Sequence, residues 1–231
     1  MKGFDNLYQP EYSEVLNKDF HLKGKWKKSI FKNPNPIVLE LGCGKGEYTT
    51  GLAEKYPEKN FIGIDIKGAR LFRGAKTAIQ KHLKNAMFIR TRVDFIQSFF
   101  AKNEISEIWF TFPDPQPKKI KKRLSSSLFL NRYSDFLEPN AIIHLKTDND
   151  LFYEYTKALA IVNNFKINYD SADVYNSTLL PEEVADIQTF YEKQFLANNK
   201  NINYLEFHLH NILPYIEPEE FNTKFTKTKT F

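Results

Sequence analysis

Ile37-Val38-Leu39-Glu40-Leu41-Gly42-Cys43-Gly44-Lys45-Gly46 is the stretch on which the fold turns. Aliphatic, partly β-branched residues run straight into three glycines at alternate positions. Glycine allows positive φ and lets the backbone approach a ligand closely. A helix-like stretch, 46–56, follows. Strand, glycine turn and helix in that order open a parallel α/β unit. Working outward, strand-like segments at 37–41, 61–66, 87–93, 107–112 and 141–147 alternate with helical stretches near 46–56, 68–84, 95–101, 124–137 and 149–163. A further strand at 166–174, a helix at 181–198 and a late strand at 203–208 complete the pattern. The reading is an α/β fold with a mostly parallel seven-stranded sheet and helices on both faces. The chain divides into a basic N-terminal segment, 1–35, a domain, 36–210, and a C-terminal tail, 211–231.

The loop discriminates between ligands. A dinucleotide loop reads G-x-G-x-x-G, with the pyrophosphate on the helix N-terminus. Here the third glycine falls one residue early, and Glu47 occupies the dinucleotide position, where it would face the phosphates. S-adenosylmethionine has no phosphate and carries a sulfonium and an ammonium, so carboxylates around the loop suit it. Glu40 at the strand end either faces that ligand or caps backbone N–H groups. Asp65, 19 residues past Gly46, ends the second strand, where an acid accepts from ribose hydroxyls. Asp94, after the third strand, either meets the adenine edge or N-caps the next helix. The pattern Glu40, Gly42, Gly44, Gly46 and then Asp65 is that of the class I S-adenosylmethionine-dependent methyltransferase, a Rossmann-like fold.

Composition narrows the rest. With 231 residues, 42% of them hydrophobic, the chain can build a full core. No stretch approaches the roughly 20 apolar residues that span a bilayer, and residues 1–10 have no apolar run of the signal-peptide kind. The single cysteine, Cys43, excludes an internal disulfide and a cysteine-cluster zinc site, so no metal is expected. The expected compartment is the cytoplasm. The net charge of +5 is mild, but it is clustered: 118–123 reads K-K-I-K-K-R, and Lys23, Lys25, Lys27 and Lys28 form a second group. Clustered cations suit a polyanion or a solvated face.

The fourth strand leads into Phe112-Pro113-Asp114-Pro115-Gln116-Pro117 and then into the lysine run. Chemistry in open α/β sheets lies beyond the carboxyl ends of the strands, which puts Asp114 beside the transferable group and phosphate contacts next to it. On these motifs the chain resembles the bacterial tRNA (guanine-N7)-methyltransferase family. The family's D-P-W-P-K-K appears as Asp114-Pro115-Gln116-Pro117-Lys118-Lys119 and its T-D-N as Thr147-Asp148-Asn149. Its T-x-Y-E appears as Thr189-Phe190-Tyr191-Glu192, followed by Tyr204-Leu205-Glu206-Phe207. Gln116 stands where the family has Trp, the basic loop is about two residues shorter, and the chain runs on past 208. The resemblance covers residues 40 to about 207. It implies methyl transfer from S-adenosylmethionine to N7 of a guanosine in the tRNA variable loop, position 46. It implies cofactor contacts at Glu40, Asp65, Asp94 and Asp114, with Asp114 at the chemistry. It further implies substrate contacts at Lys118, Asp148, Thr189, Phe190, Tyr191 and Glu192, and RNA contacts by the loop around 121–123. With Lys119, the expected RNA-binding set is Lys119, Lys121, Lys122 and Arg123; tRNA is the expected partner, and no obligate protein partner is indicated.

Guanine offers donors at N1 and N2, and ionised carboxylates are pure acceptors. Asp148 and Glu192 are therefore the candidates for reading the base, although Glu192 equally suits a salt bridge. His144 on the fifth strand reads as a core histidine. Two rivals remain: a class I methyltransferase with another substrate, and a non-catalytic RNA-binding protein of the same fold.

Overall fold

Strand β2, Ile37–Leu41, is buried at every position, as a strand must be when helices cover both faces of its sheet. In the computed structural model, which describes residues 4–210, 213–219 and 221, β2 stands near the middle of an eight-stranded sheet. Ahead of it lie β1, Leu7–Tyr8, and α1, Tyr12–Val15. After it come α2, Glu47–Lys55; β3, Asn60–Asp65; α3, Gly68–Gln80; β4, Ala86–Arg90; and β5, Ile105–Thr111. The chain continues through α4, Ser127–Tyr133; β6, Leu137–Thr147; α5, Asp150–Val162; and β7, Lys166–Ser171. It closes with α6, Glu182–Asp186; α7, Phe190–Ala197; and β8, Asn203–Leu209. The strand order is β1-β4-β3-β2-β5-β6-β8-β7. Only β8 is antiparallel, to both β6 and β7. The order reverses between β2 and β5, which pair in parallel, so loops leaving these two strands part and open a crevice.

Four expectations change in detail. The eighth strand is β1, whose Leu7 and Tyr8 pair with Phe88 and Ile89; two residues are too few to show an alternation. From residue 4 on, the basic segment 1–35 belongs to the domain. Trp26 is fully buried, donates its indole N–H to the Phe99 carbonyl at 2.9 Å and meets the Tyr8 ring edge-on. The tail 211–231 is partly packed: Tyr215 is buried, and Glu217 accepts from Ser127 N at 2.8 Å and from the Tyr155 hydroxyl at 2.6 Å. Residues 1–3, 211–212, 220 and 222–231 lie outside the described residues. Finally, the helix expected at 181–198 is two, α6 and α7, because Thr189 starts a new helix as its N-cap. Among the described residues no helix is long and apolar enough to cross a membrane.

Candidate active site

Gly42, Gly44 and Gly46 take φ of +80°, +56° and +68°, the left-handed region that the turn from β2 into α2 requires. Gly42 and Cys43 donate their N–H groups to the Ile64 carbonyl at 2.8 and 3.0 Å, which ties the loop to β3. The glycines differ in purpose. A Cβ on Gly46 would lie 2.5 Å from the Phe88 ring and 3.2 Å from the Gly74 backbone, so Gly46 permits packing. A Cβ on Gly44 would meet nothing within 4 Å, which leaves room for another molecule to approach that backbone. Asp65 fixes the loop from the neighbouring strand: its carboxylate accepts from Gly44 N at 2.9 Å and from Lys67 N at 2.7 Å.

A cleft of about 460 Å³ opens at the strand-order reversal, and Gly42, Asp65, Asp94, Phe112, Asp114 and Leu124 are among its walls. That volume lies in the usual range for small-molecule sites. Asp114 is exposed on the far bank and accepts from Gln116 N at 3.0 Å. Phe112 and Gln116 on either side both have positive φ, +49° and +44°. The turn around Asp114 is thus held in a conformation that residues other than glycine rarely adopt. Asp94 is not an N-cap. It lies inside the 3₁₀ turn Val93–Ser98 and pairs with Arg92 at 3.1 Å. Apolar walls and three carboxylates are a donor set that suits a cationic sulfonium cofactor with an adenine ring. The residues present therefore fit S-adenosylmethionine, which Asp65, Asp94, Asp114 and the glycine backbone would hold.

Other expected contacts are placed differently. Glu40 is buried beneath the loop and lines no part of the cleft. It accepts from Thr49 N at 2.7 Å and from the Thr49 and Thr111 hydroxyls at 2.5 Å each. Burial pushes its pKa up to about 7. Glu40 thus joins α2 to β5, and the capping alternative describes it. Arg123 is fully buried, donating Nε–H to the Pro115 carbonyl at 3.0 Å with its guanidinium 4.2 Å from the Tyr155 ring centroid. It braces the proline loop from inside and cannot meet a phosphate there, which corrects its expected RNA role. Lys118, Lys119, Lys121 and Lys122 are exposed, and none has an acidic partner among the described residues.

Glu192 is the third correction. It is fully buried and ion-paired with Lys146 at 2.5 Å. It accepts from the Tyr175 hydroxyl at 2.6 Å and from Thr189 N at 3.2 Å. Thr189 in turn accepts from Glu192 N at 3.1 Å, closing a capping box at the start of α7. These bonds leave no carboxylate edge for guanine. Asp148 pairs with Lys200 at 3.0 Å and lines a separate depression with Asn149, Asp150 and Asn203. The two carboxylates do not share an open pocket. Phe190 and Tyr191 are half-exposed beside the cleft. Arg70, a cleft residue, donates to the Tyr191 hydroxyl at 2.7 Å. Lys45 sits 3.6 Å over the Phe190 ring, and Phe190 N donates to Glu47 at 3.1 Å. Sequence reasoning missed Lys45, Glu47 and Arg70 as the latch for α7; Glu47 counted only against a dinucleotide.

The parallel sheet, its glycine loop and a carboxylate-lined cleft at the β2/β5 reversal define a class I S-adenosylmethionine-dependent methyltransferase. A solved antibiotic-related methyltransferase superposes with a TM-score of 0.60 at 20% identity, over 84% of this chain and 96% of that one, a likeness of fold. A family model described as "Putative methyltransferase" matches residues 34–205. The tRNA (guanine-N(7)-)-methyltransferase of Christiangramia forsetii is 53% identical over 88% of this chain and 92% of its own length. That of Bacteroides fragilis is 48% identical over 90% and 82%. The chain belongs to the tRNA (guanine-N(7)-)-methyltransferase family.

Proposed function

We propose that the chain methylates N7 of a guanosine in tRNA, the variable-loop guanosine that the sequence resemblance implies, with the cytoplasm as its compartment. The observation that carries this reading is the adjacency of the Asp65–Asp94–Asp114 cleft to exposed Lys118, Lys119, Lys121 and Lys122, with Lys122 on the rim itself. When bound, S-adenosylmethionine supplies an electrophilic methyl group. Guanine N7 carries a lone pair and no proton, so no residue has to act as a general base. The chain's task is alignment, with reacting atoms held about 3–3.5 Å apart. Asp114, exposed at the rigid turn, would stabilise the positive charge of a bound cofactor and of the methylated base, since a fixed carboxylate acts without reorganising. The exposed lysines hold phosphates, which supply most of the affinity in such complexes. Phe190 and Tyr191 offer ring faces to a base drawn out of its stack.

Incubation of the full chain with unmodified tRNA and labelled S-adenosylmethionine, followed by nucleoside analysis, is expected to give 7-methylguanosine. Label in another nucleoside, or none, overturns the reading. For the cofactor, Asp65→Ala is expected to weaken S-adenosylmethionine binding by about 1–3 kcal/mol, the scale for losing hydrogen bonds to a charged group. Asp65 also orients the Gly44 backbone. An unchanged affinity in titration calorimetry removes Asp65 from the site.

A further inference from the structure

Helix α3 starts at the cleft and carries its cations away from it. From Lys67 through Gln80 the sequence is K-G-A-R-L-F-R-G-A-K-T-A-I-Q, with Lys67, Arg70, Arg73 and Lys76 and no acidic residue. Lys67, Arg73 and Lys76 are exposed. Some surface lysines find carboxylates, Lys55 with Glu182 and Asp186, Lys157 with Asp170 and Lys200 with Asp148, while others, Lys118, Lys119, Lys121 and Lys122 among them, do not; on α3 the cations run without an acid on the same helix. Just past the helix, Lys81 pairs with Glu54. Among the described residues, Lys67, Arg73 and Lys76 have no such partner.

Folding alone does not favour this arrangement. Cations near a helix N-terminus oppose the macrodipole, where acids would stabilise by about 0.3–1 kcal/mol each, and the first turn of α3 holds no acid. Lys67 and Arg70 also line the cleft, as does Lys122 from the opposite bank. Lys67 to Lys76 spans about 13 Å of helix at ~1.5 Å per residue. That length accommodates more than one phosphate of a nucleic-acid strand, whose charges recur every ~3.4 Å along the axis.

We infer that Lys67, Arg73 and Lys76 form a second phosphate track, so that the tRNA backbone lies across the cleft between α3 and the lysines at 118, 119, 121 and 122. The inference rests on the proposed function, since it assigns one side of the same RNA-binding surface. Its consequence is that the chain grips the tRNA on both sides of the target guanosine, which resists the pull needed to expose that base.

The test uses Arg73→Gln/Lys76→Gln in the full chain, because these residues stand outside the cofactor cleft. The control is Lys32→Gln/Lys102→Gln, which removes the same net charge from exposed positions just ahead of β2 and β5, at the N-terminal ends of the strands, opposite the cleft. Binding of an unmodified tRNA transcript is measured across a salt series. For the track variant, the log–log salt slope is expected to flatten by about 1.5 and affinity at ~0.15 M salt to fall about tenfold or more. The control keeps the wild-type slope, and S-adenosylmethionine affinity is unchanged in both. A wild-type slope in the track variant overturns the track, as does an equal flattening in the control, which would indicate net charge alone. Single Arg73→Gln decides the matter by its own slope should the double variant fold poorly. Wild-type failure to methylate tRNA is a separate result, and it overturns the proposed function instead.

Discussion

Lys146→Met is expected to lower the unfolding free energy by about 3–5 kcal/mol, the usual cost of removing one partner from a buried ion pair. The pair is as enclosed as any in the molecule: both side chains of Lys146 and Glu192 are at 0% exposure, 2.5 Å apart. Lys146 also donates to the Val184 carbonyl at 2.5 Å and to the Tyr48 hydroxyl at 3.1 Å. Burial lowers its pKa, and Glu192 works against that shift. Methionine fills the space but leaves Glu192 charged and enclosed, with Val184 O short of a donor. The double variant Lys146→Met/Glu192→Gln is expected to recover part of the loss, because glutamine is neutral and its oxygen can still accept from Thr189 N. Urea unfolding measures both. A loss below about 1 kcal/mol for Lys146→Met would show that Glu192 finds water or another cation. The effect reaches the site, because Lys146 on β6 holds α6 through Val184 and α7 through Glu192. The position of Phe190 and Tyr191 depends on both helices.

The sheet and the wall of the cleft that carries Asp65, Asp94 and Asp114 were legible in the sequence because local chemistry determined them. A buried strand entering a turn that needs positive φ can be written with few residues other than glycine. Strand ends that must face the cleft place Asp65, Asp94 and Asp114 by position alone. The base-reading side was not legible. Glu192 and Lys146 are 46 residues apart in sequence, and no local pattern shows that α7 carries its glutamate onto β6. Arg123 ends a run of cations and looks like its neighbours until Tyr155 and Pro115 close over it. One signal was available: Thr189 and Glu192 have the Ser/Thr-x-x-Glu spacing of a capping box, which breaks the 181–198 helix where the structure breaks it and assigns Glu192 to its own backbone. Glu40 shows the same lesson. A carboxylate one residue short of the strand end points into the layer of α2, while Asp65, at the end of its strand, reaches the loop and the cleft.

The stabilisation that His144 contributes is expected to be greatest in a band of mildly acidic pH, and His144→Gln is expected to remove that contribution. His144 on β6 lies between two acids, its Nε2 3.5 Å from Glu107 on β5 and its Nδ1 3.4 Å from Glu206 on β8. Its ring stacks on Trp109 with centroids 3.9 Å apart and planes 5° apart, and Lys59 pairs with Glu107 at 2.6 Å. Burial alone would lower the imidazole pKa, but Glu107 and Glu206 outweigh burial and raise it. Glu206 moves the other way: burial raises its pKa, but the His144 hydrogen bond and charge outweigh that and bring it down to about 2. The signs follow from linkage. The histidine contribution is complete below its unfolded value of about 6.5 and disappears as pH rises through the raised folded value. The Glu206 contribution is complete above its unfolded value of about 4.5 and disappears as pH falls toward about 2. Between those windows the imidazolium is charged and both carboxylates are ionised. There His144→Gln should cost about 3–5 kcal/mol, since it leaves Glu107 and Glu206 enclosed with only Lys59 as a cation. Above the histidine window the wild type has lost the same charge, and below the glutamate window Glu206 is protonated, so the difference between the two proteins should shrink at both ends. Urea unfolding of wild type and His144→Gln from pH 3 to 9 reads this directly. A difference that stays constant across that range would mean that His144 packs as a neutral ring and that Glu107 is balanced by Lys59, and Glu206 by Asn168, whose amide donates to it at 2.9 Å.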